Sequence, residues 1–180
     1  MARVPQIAGK ADVPESQQYV VDQVLEVFGR VRGPFSILLH SPELAERLLP
    51  MVPFARKMTV VEPHPRFVGI LATVREKDAA YVWAAQVRVA REAGVAEATI
   101  DVLRAKGDVG RLSPEERDVA IYARQLALTN KVDQFVFDTL EKRYGTKWLV
   151  ELTAIMSFYA ALCGVVNAFE VPAPDDGDRF

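Results

Sequence analysis

The sequence predicts an all-α protein. Three observations carry that prediction. Apolar residues recur three and four positions apart along most of the chain, which is the spacing of one helix face. Helix start and stop signals repeat from end to end, with serine, threonine and proline at starts and glycine at ends. No strand–helix–strand alternation and no internal repeat is visible. The 180 residues, 50% hydrophobic and 26% charged, suit a single globular domain.

The elements follow in order. Residues 1–13 read as an extended arm, with Val4 and Pro5 as packing points. Residues 14–30 carry Val20, Val21, Val24, Leu25 and Phe28 at helical spacing. Gly33 and Pro34 break the chain before a short apolar stretch, Phe35 to Leu39. Ser41 is read as an N-cap with Pro42 at the first helical position, opening a helix to about Lys57 that is interrupted at Pro50 or Pro53. Glu62-Pro63-His64-Pro65 is read as a turn, and a helix is expected from Pro65 to Lys77. Further helices are expected over 79–93 and 96–106, ended by Gly94 and Gly107. Ser113-Pro114-Glu115-Glu116 has the form of a capping box and starts a helix to about Thr129. Two more are expected, over 132–144 and from Thr146 to about Ala168. Residues 172–180, PAPDDGDRF after Val171, have the composition of a flexible tail.

The last helix contains a charge-free run, residues 152–169. Its length is at the threshold for spanning a membrane. Thr153, Ser157, Gly164 and Asn167 within it, and Glu151 and Glu170 at its ends, favour a helix buried in a bundle. No apolar signal core opens the chain, and a cytoplasmic location with no membrane partner is expected.

Composition excludes several function classes. A net charge of -2 gives no basic field for nucleic acid. One cysteine, Cys163, rules out an intrachain disulfide. With only His40 and His64 beside it, the chain has no cluster of metal ligands, and no glycine-rich phosphate loop follows a strand. Neither a metal nor a cofactor is expected. One residue on the 79–93 helix stands out. Ala79, Val82, Gln86, Val89, Ala90 and Ala93 fall on one side, so Gln86 interrupts an apolar stripe. A buried amide without a partner costs about 1–3 kcal/mol, so a hydrogen-bond partner is required. Gln86 is therefore either a satisfied core residue or a polar group in a ligand cavity between helices.

The order and spacing of several short motifs add a resemblance. They are Arg3-Val4-Pro5, His40-Ser41-Pro42-Glu43-Leu44, Tyr81-x-Trp83 followed by Gly94-Val95, the run from Ser113 to Arg117, and Tyr159 with Asn167-Ala168-Phe169. With these, from about Arg3 to Val171, the chain resembles the carboxymuconolactone decarboxylase and alkylhydroperoxidase D-like family. The resemblance implies a helical bundle built around a helical hairpin, and a homo-oligomer: a dimer, trimer or hexamer. The family's peroxidase branch carries a glutamate, a Cys-x-x-Cys and a histidine, which relay protons to an activated thiol. The match places Phe67, Ala79, Val82 and Gln86 at those four positions. The decarboxylase branch keeps a histidine where Gln86 stands, and glutamine cannot transfer a proton near neutral pH.

The function these readings favour is a cofactor-independent lyase or isomerase. Its substrate would be a small lactone or an unsaturated carboxylate of aromatic-compound catabolism. Tyr81 and Gln86 would orient it and His64 or His40 would move a proton, with Phe67, Trp83, Tyr159 and His40 lining the site. The alternative is a non-catalytic subunit that binds a small ligand or only assembles. Thiol-dependent peroxide reduction ranks last.

Overall fold

The computed structural model describes residues 2–180. It is all-α, with no strand among the described residues. The chain groups into two compact units, residues 2–59 with Gly164–Pro172, and Val60–Cys163 with Ala173–Phe180.

In the first unit, α1 (Gln18–Phe28) buries Val20, Val21 and Val24 and ends at Gly29, whose φ of 71° is the left-handed conformation glycine tolerates. The short helix α2 (Pro34–Leu38) follows Gly33, and α3 (Pro42–Leu48) follows Ser41. Ser41 holds the N-cap position, but its side chain makes no capping hydrogen bond. The helix expected to about Lys57, interrupted at Pro50 or Pro53, is interrupted at Pro50. Beyond Pro50 only one turn, α4 (Met51–Pro53), is regular, and a wide turn closes with Thr59 N–H donating to the Phe54 carbonyl. Two prolines within four residues remove the donors a longer helix needs. The arm's buried residues are Ile7 and Val13 rather than Val4 and Pro5.

The second unit holds α5 (Pro63–Glu76), α6 (Ala80–Glu92), α7 (Glu97–Arg104), α8 (Pro114–Thr129), α9 (Gln134–Tyr144) and most of α10 (Thr146–Ala168). Helix α5 is its centre and buries every residue from Arg66 to Val74. It starts two residues earlier than expected. Pro63 and Pro65 lie in its first turn, where backbone N–H groups have no intrahelical acceptor and none is missed. His64 is thereby helical rather than in a turn. Gly69 lets α5 approach its neighbours closely. A Cβ there would lie 3.0 Å from the Met156 sulfur and 3.4 Å from side-chain carbons of Leu152 and Val119. Helix α8 begins with the expected capping box, Ser113 accepting from Glu116 N–H while Glu116 reaches back to the Ser113 backbone. Helix α10 is long and apolar enough to cross a membrane, and half of its most apolar stretch is buried inside the protein.

Candidate functional site

The amide of Gln86 has the partner its position demands. Tyr159 on α10 donates its hydroxyl to Gln86 Oε1 at 3.3 Å. Gln86 itself is half-buried, and Tyr159 is 7% exposed. Beside them the second unit buries a charge. Arg66 is 5% exposed, donates to the Val61 carbonyl at 2.9 Å and holds its guanidinium 5.5 Å from the centroid of the Phe67 ring. Burial pushes the Arg66 pKa down, and the Tyr159 phenol partly offsets that. Phe67, Gln86 and Tyr159 were expected at the site, and the structure links each of them to Arg66 or to one another. Arg66 was not singled out. Its only sequence signal is a charge at the head of the apolar run Phe67 to Val74.

His64 makes a second grouping. Its Nε2 lies 3.2 Å from Glu116 Oε1. The same oxygen accepts from Thr99 Oγ1 at 2.8 Å, while Oε2 accepts from Ser113 Oγ at 2.7 Å and from Ser113 N–H at 3.1 Å. Burial pushes the Glu116 carboxyl up. The hydrogen bonds from Ser113, Thr99 and His64 outweigh it and hold the group below the usual carboxylate range. Glu116 is thus ionised at neutral pH and fixes one nitrogen of the imidazole, leaving Nδ1 on the other side of the ring. His64 and Phe67 are three residues apart on α5 and so share a helix face. Sequence reasoning read Glu116 only as a cap.

The other expected residues are Trp83 and Tyr81 on α6 with Gln86, and His40. Trp83 is fully buried, and its Nε1 donates to Asp178 Oδ1 at 3.0 Å. Tyr81 is buried on α6. His40 belongs to the first unit, where its Nε2 lies 2.8 Å from the Pro5 carbonyl oxygen and ties down the arm.

Thiol chemistry has no foothold at the positions compared with the peroxidase branch. Ala79 and Val82 are buried and carry no sulfur. Cys163 is fully buried, and burial pushes its thiol up to about 12, far from the thiolate a nucleophile requires. Among the described residues no group of three or more histidine, cysteine, aspartate or glutamate side chains converges as metal ligands.

No family model matches the chain, and no curated protein does. Solved structures do share its fold. An uncharacterised peroxidase-related protein of Ralstonia eutropha JMP134, an alkylhydroperoxidase AhpD core, superposes with a TM-score of 0.76 at 18% identity, over 97% of this chain and 93% of its own. A cysteine-to-alanine variant of the debrominase Bmp8, in complex with 2,3,4-tribromopyrrole, gives a TM-score of 0.74 at 14% identity, over 97% and 95%. The fold is therefore alkylhydroperoxidase D-like, as the sequence resemblance implied.

Proposed function

We propose that the chain is a cofactor-independent lyase or isomerase for a small lactone or an unsaturated carboxylate of aromatic-compound catabolism. The observation that carries this reading is the Tyr159–Gln86 hydrogen bond with the buried Arg66 guanidinium nearby. Guanidinium groups bind carboxylates with charge-assisted hydrogen bonds. A phenol and an amide add donors for a developing enolate oxygen. Phe67 offers a flat apolar surface for an unsaturated ring. The debrominase neighbour, captured with a small brominated pyrrole, supports a compact planar ligand for this fold.

In this reading Arg66 anchors the carboxylate, and Gln86 orients the substrate carbonyl. Tyr159 donates to the oxygen as negative charge builds. His64 Nδ1 removes a proton next to the carbonyl, and the ionised Glu116 steadies the imidazolium that forms. Returning the proton at another carbon isomerises the substrate. Loss of carbon dioxide from a substrate bearing a second carboxylate leaves the same enolate, which His64 then protonates. Tyr81, buried on α6 five residues before Gln86, would help orient the substrate.

Assembly into a homo-oligomer forms part of the proposal. Helix α10 presents Val150, 61% exposed, in line with exposed Ala154, Ser157 and Ala161, an apolar stripe of helical spacing.

The test is turnover of a panel of unsaturated lactones and carboxylates, followed by loss of ultraviolet absorbance, with His64→Ala and Gln86→Ala. Each variant is expected to lose at least about tenfold in kcat/KM. Full activity in both would remove the site assignment.

A further inference from the structure

The segment 173–180 delivers a carboxylate to a prepared place. Asp178 Oδ1 accepts from Trp83 Nε1 at 3.0 Å and from Arg104 Nη2 at 3.0 Å and Nε at 3.3 Å. Its Oδ2 accepts from Arg91 Nη2 at 2.9 Å and Arg104 Nη2 at 3.2 Å. Two residues on, the Phe180 ring stands edge-on to Trp83 at 5.8 Å, and Arg75 lies 4.0 Å from its centroid. Every donor in this bay belongs to α5, α6 or α7, and only the acceptor and the phenyl ring come from the segment. The bay is braced from behind. Arg75 Nε donates to the Arg104 carbonyl at 2.6 Å, Arg104 also pairs with Asp101, and Arg91 also pairs with Glu97.

We propose that this bay is a binding site for a small aromatic carboxylate, and that Asp178 and Phe180 occupy it as a built-in competitor. Two features support an exchangeable occupant. Asp175 and Asp176, which lead into the contact, are exposed, and Phe180 keeps 42% of its surface exposed, so the end of the segment is only partly packed. The seat also depends on one small residue. Gly177 N–H donates to the Pro174 carbonyl at 3.0 Å, and a Cβ on Gly177 would lie 2.7 Å from the Ala84 Cβ and 3.0 Å from that carbonyl oxygen. A carboxylate reaching the vacated bay meets an indole N–H and two guanidinium groups aimed at one point, and an attached ring meets Trp83 and Arg75. The site is distinct from the Tyr159–Gln86 pair and does not require it to catalyse anything.

The test uses the full chain and 3-phenylpropionate as probe, read by calorimetry and by the indole N–H resonance of Trp83. The second tryptophan is told apart by its bond from Trp148 Nε1 to Glu62. Asp178→Ala and Gly177→Val should each bind the probe at least about tenfold more tightly than wild type, as expected if the bay is otherwise filled more than nine-tenths of the time. Adding Arg104→Ala to either should abolish the gain, and the uncharged 3-phenylpropionamide should not bind. Folded variants that bind no better than wild type overturn the proposal. So does an amide that binds as well as the acid. If neither variant folds, the segment is a structural part rather than a competitor, and the proposal fails in that case too. Turnover is not read, so failure here leaves the proposed function standing.

Discussion

Replacing Glu116 by glutamine separates its charge from its shape. The carboxylate accepts four hydrogen bonds, from His64, Thr99 and twice from Ser113. A glutamine oxygen can keep the Ser113 pair, and its amide then faces Thr99, whose hydroxyl can turn to accept. What is lost is the charge assistance and the His64 contact. Hydrogen bonds to charged groups contribute about 1.5–3 kcal/mol, and His64 is 42% exposed, which discounts its share. The expected loss is about 1–2 kcal/mol at pH 7, a melting-temperature drop of roughly 2–8 °C for a chain of this size. The pH dependence follows from the direction of the shift. A carboxyl held below its usual range adds stability above the unfolded-state value, and that stability is lost as pH falls through the folded-state value. Glutamine does not titrate. Urea unfolding should therefore show the full gap between the two proteins at pH 7 and a closing gap below about pH 4. A gap as wide at pH 3 as at pH 7, or none at pH 7, would refute the assignment of Glu116 as a bound anion.

Other consequences can be checked independently. Iodoacetamide at pH 8 should leave Cys163 unmodified in the native protein and label it within minutes in urea, because the thiol is buried and its pKa is pushed up to about 12; rapid native labelling would contradict this. Gly69→Ala gains about 1 kcal/mol of helix propensity but meets Met156, Leu152 and Val119 at 3.0–3.4 Å. Overpacking of about 1–3 kcal/mol should win and lower stability by up to about 2 kcal/mol, whereas a net gain would show the neighbours yield freely. Light scattering should find a multiple of the 20.0 kDa chain, reduced by Val150→Glu; a single 20.0 kDa species in the wild type would remove the oligomer.

Much of the fold was legible because its signals are local. The Ser113–Glu116 box, the glycine stop at Gly94 and the charge-free run in α10 each act within a few residues. Some boundaries moved: the helix read over residues 14–30 is regular only over Gln18–Phe28, and the one read from Pro65 opens at Pro63. Proline ends a helix at Pro50 and opens one at Pro63, and the difference lies in which N–H groups need acceptors. The site was half legible. An amide on an apolar stripe announced Gln86, but its partner lies 73 positions away. Glu116 showed its capping role and hid its bond to His64, 52 positions off. Asp178 was concealed most completely. Proline, glycine and aspartate in PAPDDGDRF have the composition of a mobile end, and nothing nearby in sequence points to Trp83 or Arg104.

The central claim is that this chain keeps an alkylhydroperoxidase D-like fold and works on its ligand without a thiol, through Arg66, Gln86 and Tyr159. The most direct measurement is kcat/KM on the best unsaturated lactone or carboxylate for the wild type, Cys163→Ala and Tyr159→Phe in parallel. The account predicts that Cys163→Ala matches the wild type while Tyr159→Phe falls at least about tenfold, as loss of one donor to a developing oxyanion requires. Activity that vanishes in Cys163→Ala and survives in Tyr159→Phe would contradict it.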